Sequence, residues 1–263
     1  MELKEICDQV IEIAKSAGQF IKEEAGKFKV EDIEYKGMND LVSYVDKEAE
    51  KLIVERLIKI LPDAGFIAEE GTGERVEKGF NWIIDPLDGT TNFLHGVPHF
   101  GVNIALIKDD EILIGVTNAI HQKEMFHAIK GHGAFCNGER IYASNSKTLS
   151  EGLVSTGFPY KEIDKIPQYF KTLGEILRNA HGLRRMGSAA IDLAYVASGR
   201  FEAFFEFGLK PWDVAPGVLL VQEAGGSVSD FRMGKDYIFG NQILAASKKV
   251  YPELYKIIDS NFF

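Results

Sequence analysis

The sequence predicts an α+β protein built from stacked helix and sheet layers. Three observations carry this. Up to Ile60 the apolar residues recur at three- and four-residue steps. From Phe66 to Ile141 they switch to short runs or alternation, separated by turn residues. Beyond Pro167 helical period returns, interleaved with further short strands. Helices and strands grouped in blocks favour layers over a regular βαβ barrel.

Leu3, Ile6, Val10, Ile13, Ala17 and Phe20 form one face of a first amphipathic helix. Gly26 to Asn39 is polar and is expected to be a mobile connection. Val45, Ala49, Leu52, Ile53, Leu57 and Ile60 mark a second helix, ended by Leu61-Pro62-Asp63. Strands are expected at Phe66–Ala68, Phe80–Ile84, Phe100–Ile107, Glu111–Ile120, Glu124–Ile129 and Ala134–Ile141. Helices are expected over Pro167–Asn179, Ser188–Ser198 and Val214–Glu223, the last closed by Gly225-Gly226. Phe201–Phe207 reads as an aromatic strand belonging to the core. Strands near Ser227–Phe231 and Ile243–Ala246 and a final helix complete the chain. No repeat or composition break divides it, so residues 1–263 form one unit, with a soft boundary near Ser144 to Ser150.

The chain has 263 residues, enough to bury a core and carve a pocket into it. Its formal net charge is −9, which argues against general affinity for nucleic-acid phosphates or anionic membranes. An anionic substrate then needs bound cations or a few placed Arg and Lys. Cys7 and Cys136 are far apart and fit neither a disulfide framework nor a zinc spacing, so a reducing, cytoplasmic compartment is expected. The charged start, Met1 to Val10, is not expected to act as a signal peptide. No apolar run approaches the roughly 20 residues that cross a bilayer.

The segment Trp82 to Phe93, WIIDPLDGTTNF, concentrates chemistry. An apolar strand is expected to deliver Asp85 at its end. Pro86 and Gly89 then bend the chain and bring Asp88 back beside Asp85. Carboxylates held this close repel unless a cation lies between them, and hard oxygen ligands suit magnesium or manganese. Gly89, Thr90 and Thr91 offer N–H groups and hydroxyls at a helix start, where a phosphate is favoured. The plainer reading, an Asp-capped turn, explains either carboxylate alone but not their coincidence with the strand and the threonine pair. Glu69-Glu70 follows a short apolar run one strand earlier and gains interest from that place. Asp213 reads as the cap of the Val214 helix, with Pro216 in its first turn. Asp46, in the first turn of the second helix, reads by default as a surface carboxylate. The six histidines show no metal spacing.

These segments together resemble the inositol monophosphatases, lithium-sensitive, metal-dependent phosphatases grouped with the fructose-1,6-bisphosphatases. The likeness covers nearly the whole chain. It rests on Trp82–Phe93 with His95, on Trp212-Asp213-Val214-Ala215 with Glu223-Ala224-Gly225-Gly226, on Lys36, Asp40-Leu41-Val42 and Asp46, and on Phe66 to Glu70. Pro216 departs from the pattern, which usually has a small residue there. The resemblance implies an αβαβα sandwich, usually a homodimer, with two or three magnesium ions that manganese can replace. It implies that Glu69, Asp85, the Leu87 carbonyl and Thr90 hold or flank the first ion. Asp85, Asp88 and Asp213 would hold the second, and Glu69 would reach a looser third. Asp46 and Thr90 would orient and deprotonate the attacking water. Gly89 and Thr90 would donate N–H groups to the phosphate. Gly187, Ser188, Ala189 and Glu206 match contacts to a polyol, and Arg185 is placed to reach a second phosphate.

The implied reaction is in-line hydrolysis of a small phosphomonoester, with inositol 1-phosphate and fructose 1,6-bisphosphate as expected substrates. Three rivals follow. A haloacid-dehalogenase-type phosphatase also sets Asp-x-Asp after an apolar strand, but here two residues separate the carboxylates. A 3′(2′),5′-bisphosphate nucleotidase of the same fold is disfavoured by the compact length and Glu206. A protein-binding module on a phosphatase scaffold is disfavoured because every expected ligand is present.

Overall fold

The computed structural model describes residues 2–27, 34–37, 40–160 and 163–263, and no side chain is described for 34–37 or 40–42. Helices α1 (Leu3–Ala25) and α2 (Tyr44–Ile60) flank a two-stranded ribbon of β1 (Glu34–Gly37) and β2 (Asp40–Val42). Part of the polar connection expected between the helices is therefore paired strand. The side chains of Lys36, Asp40, Leu41 and Val42 lie outside the described residues.

A first sheet of seven strands has the order β3 (Gly65–Ala68), β4 (Phe80–Asp88), β5 (Gly101–Lys108), β6 (Glu111–Ala119), β7 (Glu124–Ile129), β8 (Gly133–Cys136) and β9 (Glu139–Ile141). Only the β3–β4 pair is parallel. The strand expected over Ala134–Ile141 is in fact two, split by a turn in which Asn137 and Gly138 both have positive φ. The helix start expected after Asp88 is α3 (Thr90–Leu94).

A second sheet of five strands has the order β11 (Gly182–Arg184), β10 (Leu153–Thr156), β12 (Ala203–Phe207), β14 (Gln242–Ala246) and β13 (Ser227–Ser229). β10 and β11 carried too few residues to stand out in the sequence. Helices α4 (Ile166–Asn179), α5 (Ala189–Ala197), α6 (Pro211–Glu223) and α7 (Tyr251–Phe262) complete the chain. Ser144 to Ser150 lies where the chain crosses between the sheets. There the buried Glu202 accepts hydrogen bonds from the Ser144 and Ser146 hydroxyls, each at 3.0 Å, and from Leu153 N–H at 2.6 Å.

Strand alternation builds the layers. Trp82 and Ile84 face α1 and α2, while Ile83 faces the other way, toward α5 and α6. Phe204 and Ala245 close that middle layer from the second sheet, and Ala203 and Phe205 face α4 and α7. The result is the expected αβαβα sandwich. Each fully buried aliphatic side chain contributes about 1.5–3 kcal/mol.

One helix start differs from expectation. α6 begins at Pro211, capped by Lys210, so Asp213 is its third residue rather than its cap. Pro216 is consequently interior. Its backbone lies against β6, where a Cβ on Gly115 would come within 2.7 Å of the Pro216 carbonyl. Cys7 and Cys136 are free thiols, and no described helix is long and apolar enough to cross a membrane.

Candidate active site

Four chain segments meet beside β4. β4 does not end at Ile84 but runs on to Asp88, with a register shift: Asp85 pairs with Asn103, and Asp88 with Gly101. Three steps on β4 therefore match two on β5, which is a β-bulge. In a regular strand, residues three apart point to opposite faces. The extra residue restores parity and turns Asp88 to the side of Asp85. Asp213, delivered by the first turn of α6, completes the group. Each of the three carboxylates offers one oxygen, all within 4.8 Å of one another.

Glu69 follows β3 directly. Its N–H donates to the Ile84 carbonyl at 3.2 Å, and the parallel register that matches Ala68 with Ile84 sets it beside Asp85. Burial, and then the charges of Glu69, Asp88 and Asp213, push the Asp85 carboxyl well above its ordinary range. Asp85 Oδ1 also accepts Leu87 N–H at 2.9 Å, closing the bulge.

Asp88 rests on the start of α5. It accepts the Ser188 hydroxyl at 2.7 Å and the Ala190 N–H at 2.9 Å, yet burial still raises its pKa. Ser188, the α5 cap, is thus engaged with a carboxylate of the cluster. Gly89 has φ +90°, and a Cβ there would lie 2.9 Å from the His99 carbonyl and 3.3 Å from that of Gly187. Only glycine fits both the conformation and the approach.

Asp46 is buried at 1 % exposure, not a surface group. Its Oδ2 accepts Ser43 N–H at 2.8 Å and the Ser43 hydroxyl at 2.7 Å in a capping box. Its Oδ1 faces Thr90 Oγ1 at 3.1 Å, and Thr90 Oγ1 also lies 2.9 Å from the Leu87 carbonyl. Burial raises the Asp46 pKa against the opposing hydrogen bonds.

Glu206 of β12 lies on the far side of the site. Burial, then the charge of Asp213, pushes it well upward, while Arg185 pulls it back. The Arg185 guanidinium stacks on Phe158 and Tyr160, each at 5.7 Å, and donates to the Tyr160 hydroxyl at 3.3 Å.

Two contributors were not singled out from the sequence. The Asn92 amide donates to the His99 carbonyl at 2.7 Å and to the Met186 carbonyl at 2.9 Å, tying α3 to the strand–helix connection of the second half. It stood inside the Trp82–Phe93 motif, which was the available signal. Asp192 of α5 is buried, and burial followed by the charges of Glu206 and Asp88 raises its pKa strongly. Nothing in its apolar helix marked it.

The donor set is made of hard carboxylate oxygens that destabilise one another at neutral pH, and it fits a divalent cation. With a hydroxyl–carboxylate pair alongside and a helix start between them, the fold and site define a metal-dependent phosphatase. Residues 2–261 match the inositol monophosphatase family, and the chain belongs to it. It is 42% identical over 248 residues to the Nus factor SuhB of Pseudomonas aeruginosa, covering 92% of this chain and 91% of that protein. The extragenic suppressor protein suhB of Bartonella henselae superposes with a TM-score of 0.92 at 36% identity, covering 98% of this chain and 99% of that one. The Thermotoga maritima IMPase superposes with a TM-score of 0.87 at 33% identity, covering 96% of each.

Proposed function

We propose that this phosphatase hydrolyses small polyol or sugar phosphomonoesters with magnesium, inositol 1-phosphate first among them and fructose 1,6-bisphosphate as a second substrate. The observation that carries the reading is the meeting of Asp85, Asp88 and Asp213 within 4.8 Å beside the Thr90–Asp46 pair. Asp85, Asp88, Asp213 and Glu69, with the Leu87 carbonyl, would hold the ions, manganese serving in place of magnesium. Bound there, the ions supply the charge that lowers the pKa of water and neutralises the phosphoryl oxygens and the departing alkoxide.

The chain's own groups supply the rest. Thr90 has one hydroxyl proton and two acceptors, Asp46 Oδ1 and the Leu87 carbonyl. As Oγ1 takes a proton from the attacking water, its own passes to Asp46. The raised pKa of Asp46 suits it to receive that proton. Ser43 locks the other Asp46 oxygen, so the acceptor does not rotate away. Gly89 and Thr90 turn backbone N–H groups to the phosphate. Gly187, Ala189 and Glu206 line the alcohol side, Ser188 supports Asp88, and Arg185 meets a second anionic group.

Comparing kcat/KM on inositol 1-phosphate, fructose 1,6-bisphosphate and a phosphoadenosine tests the substrate class. Turnover of only the last favours the nucleotidase. Single turnover in oxygen-18 water tests the attack: label belongs in phosphate, and label in an Asp side chain means a covalent route. A homodimer in the cytoplasm, sensitive to lithium, completes the reading and is checked by light scattering and lithium titration. The name Nus factor carried by the Pseudomonas relative supports a second role beside hydrolysis. A net charge of −9 disfavours direct binding to nucleic-acid phosphates.

A further inference from the structure

One helical turn after Asp46, α2 carries a second buried carboxylate, Glu50. Residues four apart share a helix face, so both acids project toward the same side. The two Glu50 oxygens accept two backbone N–H groups of one turn: Oε2 from Glu70 at 2.8 Å, and Oε1 from Thr72 at 2.9 Å. The same turn is closed on itself by Gly71 N–H to the Ala68 carbonyl at 3.2 Å. Glu69 is thus held from two directions. Its own N–H is fixed to β4, and the next peptide is fixed to α2.

We propose that Glu50 is a positioning residue for metal binding: it clamps the Glu69–Thr72 turn so that the Glu69 carboxylate stays against Asp85 before any cation arrives. The inference rests on the reading of Glu69 as a ligand. Its physical basis is geometric. The backbone that carries Glu69 is held to β4 by its own N–H and to α2 by the Glu70 and Thr72 N–H groups, which keeps the turn from swinging outward into water. Two hydrogen bonds, one to each oxygen of a single buried carboxylate, act against that swing. A ligand held in place loses less freedom when the ion binds, which is how groups behind the ligands tune affinity. α2 therefore sets both the proton acceptor, through Asp46, and a ligand, through Glu50.

The test is magnesium titration calorimetry on the metal-free full chain, for wild type, Glu50→Gln and Glu69→Gln, with melting temperatures taken in chelator. Glu50→Gln keeps size and shape but turns one acceptor into an N–H₂ donor facing a backbone N–H. The expected result is magnesium binding weaker by about 10–100-fold. The magnesium midpoint for activity should shift by the same factor, with the substrate KM at saturating magnesium unchanged. The metal-free melting temperature should fall as well, because a buried hydrogen bond is lost, so affinity is the deciding readout. A purely structural brace would lower that temperature and leave affinity alone. Wild-type affinity in Glu50→Gln, alongside weakened binding in Glu69→Gln, overturns the clamp. Wild-type affinity in Glu69→Gln overturns the ligand reading beneath it. If Glu50→Gln does not fold, amide exchange in metal-free wild type decides. Glu70 and Thr72 protected as well as β3 supports the clamp, and exchange at open-loop rates overturns it.

Discussion

Replacing Asp85 by Asn should make the metal-free protein more stable while abolishing its chemistry. Asp85 is buried, and oxygens of Asp85, Asp88 and Asp213 lie within 4.8 Å of one another. Two ionised groups at that separation repel by about 3 kcal/mol when the effective dielectric is roughly 20. Asp85 faces two such partners besides Glu69. A proton held between Glu69 and Asp85 relieves part of the repulsion, so the expected gain is about 1–3 kcal/mol. Asn keeps the oxygen that accepts the Leu87 N–H, so the bulge survives. For a chain of this size the gain corresponds to roughly 3–10 °C in melting temperature. Because the Asp85 pKa is raised in the folded state, its contribution to stability is full below the unfolded pKa and is lost as pH rises through the folded one. The assay is calorimetric melting in chelator at pH 7.5, repeated with magnesium. At about 100 times its dissociation constant, the ion returns about 2.7 kcal/mol to wild type and much less to the variant. An Asp85→Asn protein that melts below wild type in chelator would show instead that the cluster is a structural network rather than a strained cation cradle.

Asp88→Asn and Asp213→Asn should each nearly abolish phosphomonoester hydrolysis with the far-ultraviolet circular dichroism unchanged; near-normal turnover in either contradicts the site. Thr90→Val should lower kcat by about 10²–10⁴ with little change in KM, read from steady-state kinetics. His99 is buried, and burial lowers its imidazole to about 4. Its unfolded form binds the proton first, so its contribution to stability is full above pH 6.5 and is lost as pH falls toward 4. That loss is about 3 kcal/mol, read as the difference between the urea-melt pH profiles of wild type and His99→Gln. Gly89→Ala should lower the melting temperature and activity together. It adds about 1–2 kcal/mol of left-handed backbone strain, and its Cβ would press on the His99 carbonyl.

The chain's local periodicity carried most of the fold. α1, α2, α4, α5 and the antiparallel run β5 to β7 were legible because their apolar residues repeat over many positions. β10 and β11 were not, since three or four residues cannot establish a period, and their place comes from β10 pairing with β12 and β11 with β10. The same limit applied to caps. Asp213 and Pro216 lie about one helical turn further into α6 than the apolar run suggests, because the helix starts at Pro211. Asp46 looked like a surface acid, since a first-turn Asp usually caps its own helix. It does share the α2 capping box with Ser43, but only one of its oxygens is spent there.

The order of residues along the chain already specifies which groups this protein can bring to a reaction. The strand before Asp85, the spacing to Asp88, the following Gly-Thr-Thr and the Trp-Asp pair are local, and local chemistry is written in order along the chain. Tertiary structure decided how those groups meet. A bulge set Asp85 and Asp88 on one side, α5 cradled Asp88, α6 brought in Asp213, and α2 turned Asp46 toward Thr90 while Glu50 took hold of the turn after Glu69. Such meetings depend on register and on packing between segments far apart in sequence, and a residue's neighbours along the chain carry no record of either.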